Sequence, residues 1–425
     1  MSTALLTDRY ELTMVQAALH SGKANRQCVF EVFARQLPAG RRFGVVAGTG
    51  RLLDALKNFK FDSAEIEFLR TNQVVDDATL EWLANFEFKG SISGYQEGEL
   101  YFAYSPILTV EASFAEAVVL ETLFLSILNY DSAVASAAAR MKYAAGNRAI
   151  SEMGGRRAHE QAAVAAARAA YIIGFDATSN LEAGRSFGIP TMGTSAHSFT
   201  LLHDSEAEAF EAQLGSMGNQ TALLVDTFDI DAAVRKAVEL SNKELRAVRI
   251  DSGDLGSSAE SVRKLLDELG ANNTQITVTS DLDEYTIAAL AAAPVDAYGV
   301  GTSLVTGSGF PTAGFVYKLV AHKDNNIWIQ VAKTSKSKSN LGGKKFAHRD
   351  LENGLARSEV VSRKENHSGR PLQVPLVIKG AIQQQYIGAP GVSLARIHHA
   401  KAIAELPPTG FRLSKGEPVI PTVFI

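Results

Sequence analysis

The sequence predicts an α/β fold with a parallel sheet, and two textures of the middle third carry that expectation. Short β-branched or aliphatic runs end in polar, glycine-containing clusters, and alanine- and charge-rich stretches of helical spacing follow them. The links are short, and parallel neighbours need crossover helices. The strand-like runs are Tyr171–Phe175, Ala222–Val225, Ala247–Ile250, Ile276–Val278 and Ala297–Val300. Helices are expected over Glu206–Leu214, Asp231–Leu240, Ser258–Leu269 and Tyr285–Ala293. Gly270 stands where a helix-ending glycine belongs, and Asp229 and Ser257 are N-cap residue types.

Roughly six strands between about residues 170 and 305 suit an irregular barrel better than a complete eightfold one. Periodicity alone leaves a doubly wound open sheet as the alternative. Either fold places ligands at the carboxyl ends of the strands. The flanks differ in texture. Cys28–Phe33 reads as a strand and Pro38-Ala39-Gly40 as a turn, and strand-like pieces return at Ile327–Val331 and Pro375–Ile378. The expected division is 1–130, 131–320 and 321–425, with the central segment as the irregular α/β barrel. The two ends would combine into one mixed α+β domain.

Composition excludes several classes. The 425 residues are 46% apolar and 21% charged, an ordinary globular balance with material for two or three domains. Lysine and arginine total 42 against 46 acidic residues, and a net charge of −4 argues against nucleic acid as a partner. Cys28 is the only cysteine, which excludes an intrachain disulfide and a cysteine-rich zinc site. The first residues lack the basic start and apolar run of a signal peptide, so cytoplasmic location is the expectation. Ala115–Leu128 is the most apolar stretch, but Glu116 and Glu121 interrupt it, and it reads as a core helix rather than a membrane span.

Three strand ends hold the residues that can do chemistry. Arg249 precedes Asp251-Ser252-Gly253-Asp254. Two carboxylates, a hydroxyl and a glycine there can grip sugar hydroxyls and a magnesium-bound diphosphate, and an arginine inside an apolar strand calls for an anionic partner. Gly299-Val300-Gly301-Thr302-Ser303 follows another strand, and its glycines would let free N–H groups approach a phosphate. Ile189–Ser198 reads as a strand that runs through Thr194 into His197. A lone histidine is more often structural, yet flanking hydroxyls and open backbone suit an acid, a base or a phosphoryl acceptor. Arg156-Arg157 after Gly154-Gly155 forms an anion-capable turn, and Thr178-Ser179-Asn180 supplies neutral hydrogen-bonding groups for a heteroaromatic ring. The loop Lys333–Lys345 carries five lysines and no acid; a solvated hairpin is the ordinary reading, reach to a neighbouring subunit's phosphates the other.

In this order, these segments resemble the nicotinate phosphoribosyltransferase family. The likeness starts at Thr7-Asp8-Arg9-Tyr10-Glu11-Leu12-Thr13-Met14 and continues through Phe33–Pro38, Arg156-Arg157-Ala158 and Phe175–Asn180. It then runs through Gly193–Ser198, Arg249–Leu255 and Gly299–Ser303 to Gly314–Leu319. The resemblance implies transfer of phosphoribose from phosphoribosyl pyrophosphate to nicotinate in NAD salvage, helped by Mg2+ and by ATP hydrolysis. It implies His197 as the residue that ATP phosphorylates and Asp251 as the contact to the ribose hydroxyls. Tyr10 would stack on the pyridine ring from the partner of a homodimer with shared sites. Arg249 would face the carboxylate and diphosphate, and Gly301 and Thr302 the 5′-phosphate. Arg140 and Arg156 would add anion contacts, and Ser179, Asn180, Thr194, Ser252 and Gly253 complete the expected binding set. Met153 stands where relatives often carry an aromatic residue. The competing readings are a nicotinamide-specific transferase, which would be expected to place an acid near Thr178–Asn180, and a catalytically silent nucleotide-binding barrel.

Overall fold

The computed structural model describes residues 2–335, 338–339, 341–365 and 368–425. The chain divides into two compact units, one of Met1–Ser136 with Phe310–Ile425 and one of Ala137–Gly309. The first cut falls inside the continuous helix Glu121–Ala145, where no linker composition could mark it.

The central unit is built on a six-stranded sheet curled as an incomplete barrel. Its order is Ala177–Thr178, Ala149–Glu152, Ala297–Val300, Gln275–Val278, Ala247–Ile250 and Ala222–Leu224. Every neighbouring pair is parallel. All six strands therefore end on one side, and their trailing loops converge there. Helices Glu160–Ile173, Glu206–Met217, Ile230–Leu240 and Leu255–Glu268 alternate with the strands and bury alanine, valine and leucine faces. Asp229 caps its helix through the Ala232 N–H at 2.8 Å.

Three local expectations are corrected. Tyr171-Ile172-Ile173 is the last turn of helix Glu160–Ile173, not a strand. The alanine run upstream propagates the helix, Ile172 and Ile173 bury their side chains on it, and Gly174 ends it at φ +116°. The neighbouring strand is only Ala177–Thr178. The segment around Ile189 contributes one bridge, Thr178 to Thr191, because Pro190 offers no N–H to a ladder. The cap of helix Leu255–Glu268 is Asp254, which accepts from the Ser257 N–H at 3.0 Å. Strand Ala149–Glu152 has no counterpart among the runs read from the sequence.

The other unit draws on both chain ends. A seven-stranded antiparallel sheet pairs Gln27–Ala34 with Phe315–Asp324 on one side and Leu108–Ser113 on the other. Ser91–Tyr95 and Gln373–Ile378 extend it. A second sheet joins Phe346–Glu352, Leu355–Ser362, Arg370–Pro371 and Thr422–Phe424. Arg349 is fully buried there against Glu359 at 2.9 Å, and Glu99 accepts from Arg370 and from His398 at 2.8 and 2.9 Å. Cys28 is buried, and burial pushes its thiol up to about 11. Phe114–Val118 and Glu121–Ala145 form the apolar helical stretch, long and apolar enough to cross a membrane yet mostly buried in the protein. Of the basic loop, Lys336, Ser337 and Asn340 lie outside the described residues; Lys344 pairs with Glu111 at 2.6 Å and Lys345 with Glu31 at 2.6 Å.

Candidate active site

Two adjoining clefts open at the carboxyl ends of the parallel strands. One, of about 210 Å³, is lined by Arg156, Arg157, Thr279, Ser280, Asp281, Gly301 and Thr302 among others. The second, of about 590 Å³, is lined by Ser179, Asn180, Met192 to His197 and Glu160. Met153, Arg156, Arg249 and Asp251 line both.

His197 opens the helix His197–Leu202 after a non-helical Ala196. Its Nδ1 lies 3.1 Å from Thr227 Oγ1, and its Nε2 lies 3.9 Å from both Asp226 Oδ1 and Asp251 Oδ2. The imidazole is 40% exposed, while the Asp226 side chain is 1% exposed. Asp226 Oδ2 accepts from the Asp251 N–H at 2.9 Å and from the Ser252 hydroxyl at 2.6 Å. Its Oδ1 is buried without a hydrogen bond. Asp251 in turn accepts from the Thr279 hydroxyl. Strand register creates this cluster: Leu224, Arg249 and Thr277 are cross-strand neighbours, so the residues just beyond them meet.

Arg249 leans the other way. Its Nη1 donates to Thr194 Oγ1 at 2.7 Å, and its Nε is buried without a partner. Burial lowers its pKa, Asp251 and Asp226 oppose that, and Arg156 adds to it. A guanidinium held this way is poised for an anion. Glu152 is fully buried beneath the arginine turn, where it accepts from the Thr178 hydroxyl and the Gly154 N–H. Burial raises its pKa against those bonds. Gly154 packs so closely that a Cβ there would lie 2.3 Å from Val305 and 3.0 Å from the Gly301 carbonyl, so the two glycine turns form one backbone-lined floor. Met153 fits because Gly299 has no Cβ, which would meet the Met153 sulfur at 2.6 Å.

Of the residues expected from sequence, the structure brings together Arg156, Ser179, Asn180, Thr194, His197, Arg249, Asp251, Gly301 and Thr302. Ser252 joins them through Asp226, and Gly253 makes the turn at φ +79°. Arg140 lines neither cleft; it is buried with its Nε 2.9 Å from Glu284. Tyr10 belongs to the other unit, exposed on helix Arg9–His20, its phenol pushed up to about 12 by burial and by Glu121, Glu11 and Asp8. Sequence reasoning missed Asp226, Thr227, Thr279, Ser280 and Asp281. The signal was available, since these directly follow Ala222–Val225 and Ile276–Val278, and the strand-end rule applies equally to them. Ser280 adopts φ +95°, an uncommon conformation for a residue with a side chain, at the edge of the smaller cleft.

A curled parallel sheet whose strand ends gather arginines, glycine turns and paired carboxylates defines a barrel enzyme for phosphorylated substrates. Residues 5–129 match the family model described as the nicotinate phosphoribosyltransferase N-terminal domain, and residues 148–359 match that of the nicotinate phosphoribosyltransferase family. A nicotinate phosphoribosyltransferase of Mycobacterium tuberculosis is 52% identical over 98% of this chain and 94% of its own length. One from Bacillus subtilis is 37% identical over 84% of this chain and 75% of its own. The crystal structure of human nicotinic acid phosphoribosyltransferase superposes with a TM-score of 0.83 at 25% identity, covering 99% of this chain and 97% of that one. The chain belongs to the nicotinate phosphoribosyltransferase family, enzymes of NAD salvage.

Proposed function

We propose that this site transfers phosphoribose from phosphoribosyl pyrophosphate to nicotinate, and that ATP assists by phosphorylating His197. The observation that carries the ATP step is the pose of the imidazole. With Nδ1–H donating to Thr227 Oγ1, the lone pair sits on Nε2, which faces the open cleft between Asp226 and Asp251. The Nε2–P bond forms as the bond to the ADP oxygen breaks, and water later releases inorganic phosphate.

Displacement at the anomeric carbon needs a positioned ring nitrogen and a neutralised leaving diphosphate. Arg249, Arg156 and Arg157 supply cations to the diphosphate, Gly301 and Thr302 the 5′-phosphate contacts, and Asp251 the ribose contact. Asn180 favours nicotinate over nicotinamide. Its Oδ1 is used in capping the Ala183 N–H at 2.9 Å, which leaves its NH2 to donate to a carboxylate. Among the described residues no three or more His, Cys, Asp or Glu side chains are arranged as a complete metal site. A Mg2+ ion would fit as a partner of the diphosphate, held by Asp226 Oδ1, which accepts no hydrogen bond, and by Asp251, and it would neutralise developing charge on the leaving group. We place the enzyme in the cytoplasm as a homodimer in which Tyr10 reaches the partner's pyridine ring.

Incubation with phosphoribosyl pyrophosphate, Mg2+ and ATP should give mononucleotide from nicotinate and far less from nicotinamide. No product from nicotinate would overturn the reading, and preference for nicotinamide would turn it to the amide-specific enzyme. γ-Labelled ATP should leave acid-labile phosphate on the wild type and none on His197→Ala.

A further inference from the structure

A cavity of about 330 Å³ lies within the unit formed by the chain ends, apart from the chemistry described above. Its floor is apolar: Met14, Ala17 and Ala18 from helix Arg9–His20, Phe114, Leu319 and Cys28. Its rim is basic, with Lys23, Arg26 and His322, and no carboxylate lines it among the described residues. Arg26 is held in place by Asp324 at 2.9 Å and by His322 Nδ1 at 3.5 Å. Arg26, held in this way, and the exposed Lys23 thus stand at the mouth of an apolar hollow with one half-exposed carboxylate, Asp324, beside the rim.

We propose that this cavity binds a free monocarboxylic acid with a short apolar tail. Charge complementarity selects the headgroup: Asp324 pairs with Arg26, and Lys23 on the same rim leaves one cation in excess for an incoming carboxylate. The apolar floor selects the tail, and the volume falls at the lower end of small-molecule pockets, roughly 300–1,000 Å³. Helix Arg9–His20 forms one wall, and Tyr10 and Met14 stand four residues apart on it, on one face. An occupant is therefore in a position to alter how that helix presents Tyr10. This second consequence rests on the ring-stacking role proposed for Tyr10, whereas binding itself does not.

Calorimetric titration of the intact protein with octanoate tests the site. Octanoate should bind saturably, octanamide more weakly, and Ala17→Phe, which fills the hollow from an exposed helix position, should weaken octanoate at least about tenfold. Lys23→Glu should weaken it about threefold to fivefold, the range of exposed charge pairs. Unaltered melting temperatures would show that both variants fold. Absence of octanoate binding, binding indifferent to both substitutions, or association only with anionic lipid vesicles would each overturn the proposal. A change in the nicotinate KM on adding octanoate reports the Tyr10 link separately, so its failure leaves the binding site standing and removes only the coupling.

Discussion

Asp226 holds more of the polar cluster than any residue picked out from the sequence. One oxygen takes both the Asp251 N–H and the Ser252 hydroxyl, and the other faces the His197 imidazole. Neutralising it while keeping its shape should loosen Asp251 and leave the imidazole with one carboxylate. Asp226→Asn is expected to lower kcat on the order of 10–100-fold, as loss of an orienting carboxylate behind a reactive group does. Labelled phosphohistidine should fall with it. A kcat within twofold of the wild type would remove Asp226 from the mechanism. The residue scale also shows why a single pattern could mislead: Arg140 and Arg249 are both arginines of apolar segments, yet Glu284 engages the first and Thr194 only partly the second.

At the scale of elements, loops at strand ends are held by short side-chain-to-backbone bonds. Asp254 fixes the start of helix Leu255–Glu268 directly after the Asp251 turn. Asp254→Ala should cost about 1 kcal/mol of stability in urea unfolding, the usual loss of an N-cap, whereas Ser257→Ala should be near neutral. Equal losses would refute the assignment of the cap. The N-terminal helix depends on Glu11, which accepts from Thr7, from the Thr122 hydroxyl and from the Thr122 N–H at 2.9 Å. Burial pushes the Glu11 carboxyl up from its ordinary 4.5 to about 7, the bonds from Thr122 and Thr7 pull it down, and Glu121 raises it. The folded state therefore binds more protons than the unfolded one between about 4.5 and about 7. Stability from this group is complete below that window and is lost as pH rises through it. Melting temperatures of Glu11→Gln should decline less across the window than those of the wild type, and parallel curves would refute the assignment.

At the scale of the whole molecule, shared sites would make activity a property of a pair of chains. Tyr10→Ala and His197→Ala homodimers should each be nearly inactive. Mixed after subunit exchange, half the dimers would be hybrids with one intact site, so activity should return to about a quarter of the wild type. No recovery, with exchange verified by mass, would place Tyr10 and His197 of each site on one chain.

What the sequence determined by itself was the inventory of chemistry and its order along the chain. Strand ends were legible because short β-branched or aliphatic runs followed by glycine, hydroxyl and carboxylate residues are local signals spanning a few positions. Arg249, Asp251, Gly301 and the Thr194–His197 segment could be found that way, as could the helix stretches; the antiparallel pairing of Gln27–Ala34 with Phe315–Asp324 was not. Only the tertiary structure decided which of them meet. Thr194 and Arg249 are 55 positions apart, and the cluster of His197, Asp226 and Asp251 exists because parallel register sets strand ends side by side. No local pattern encodes that register. The same reason turned Tyr171–Ile173 from a strand into a buried helix end, since packing against neighbours overrides the β propensity of two isoleucines.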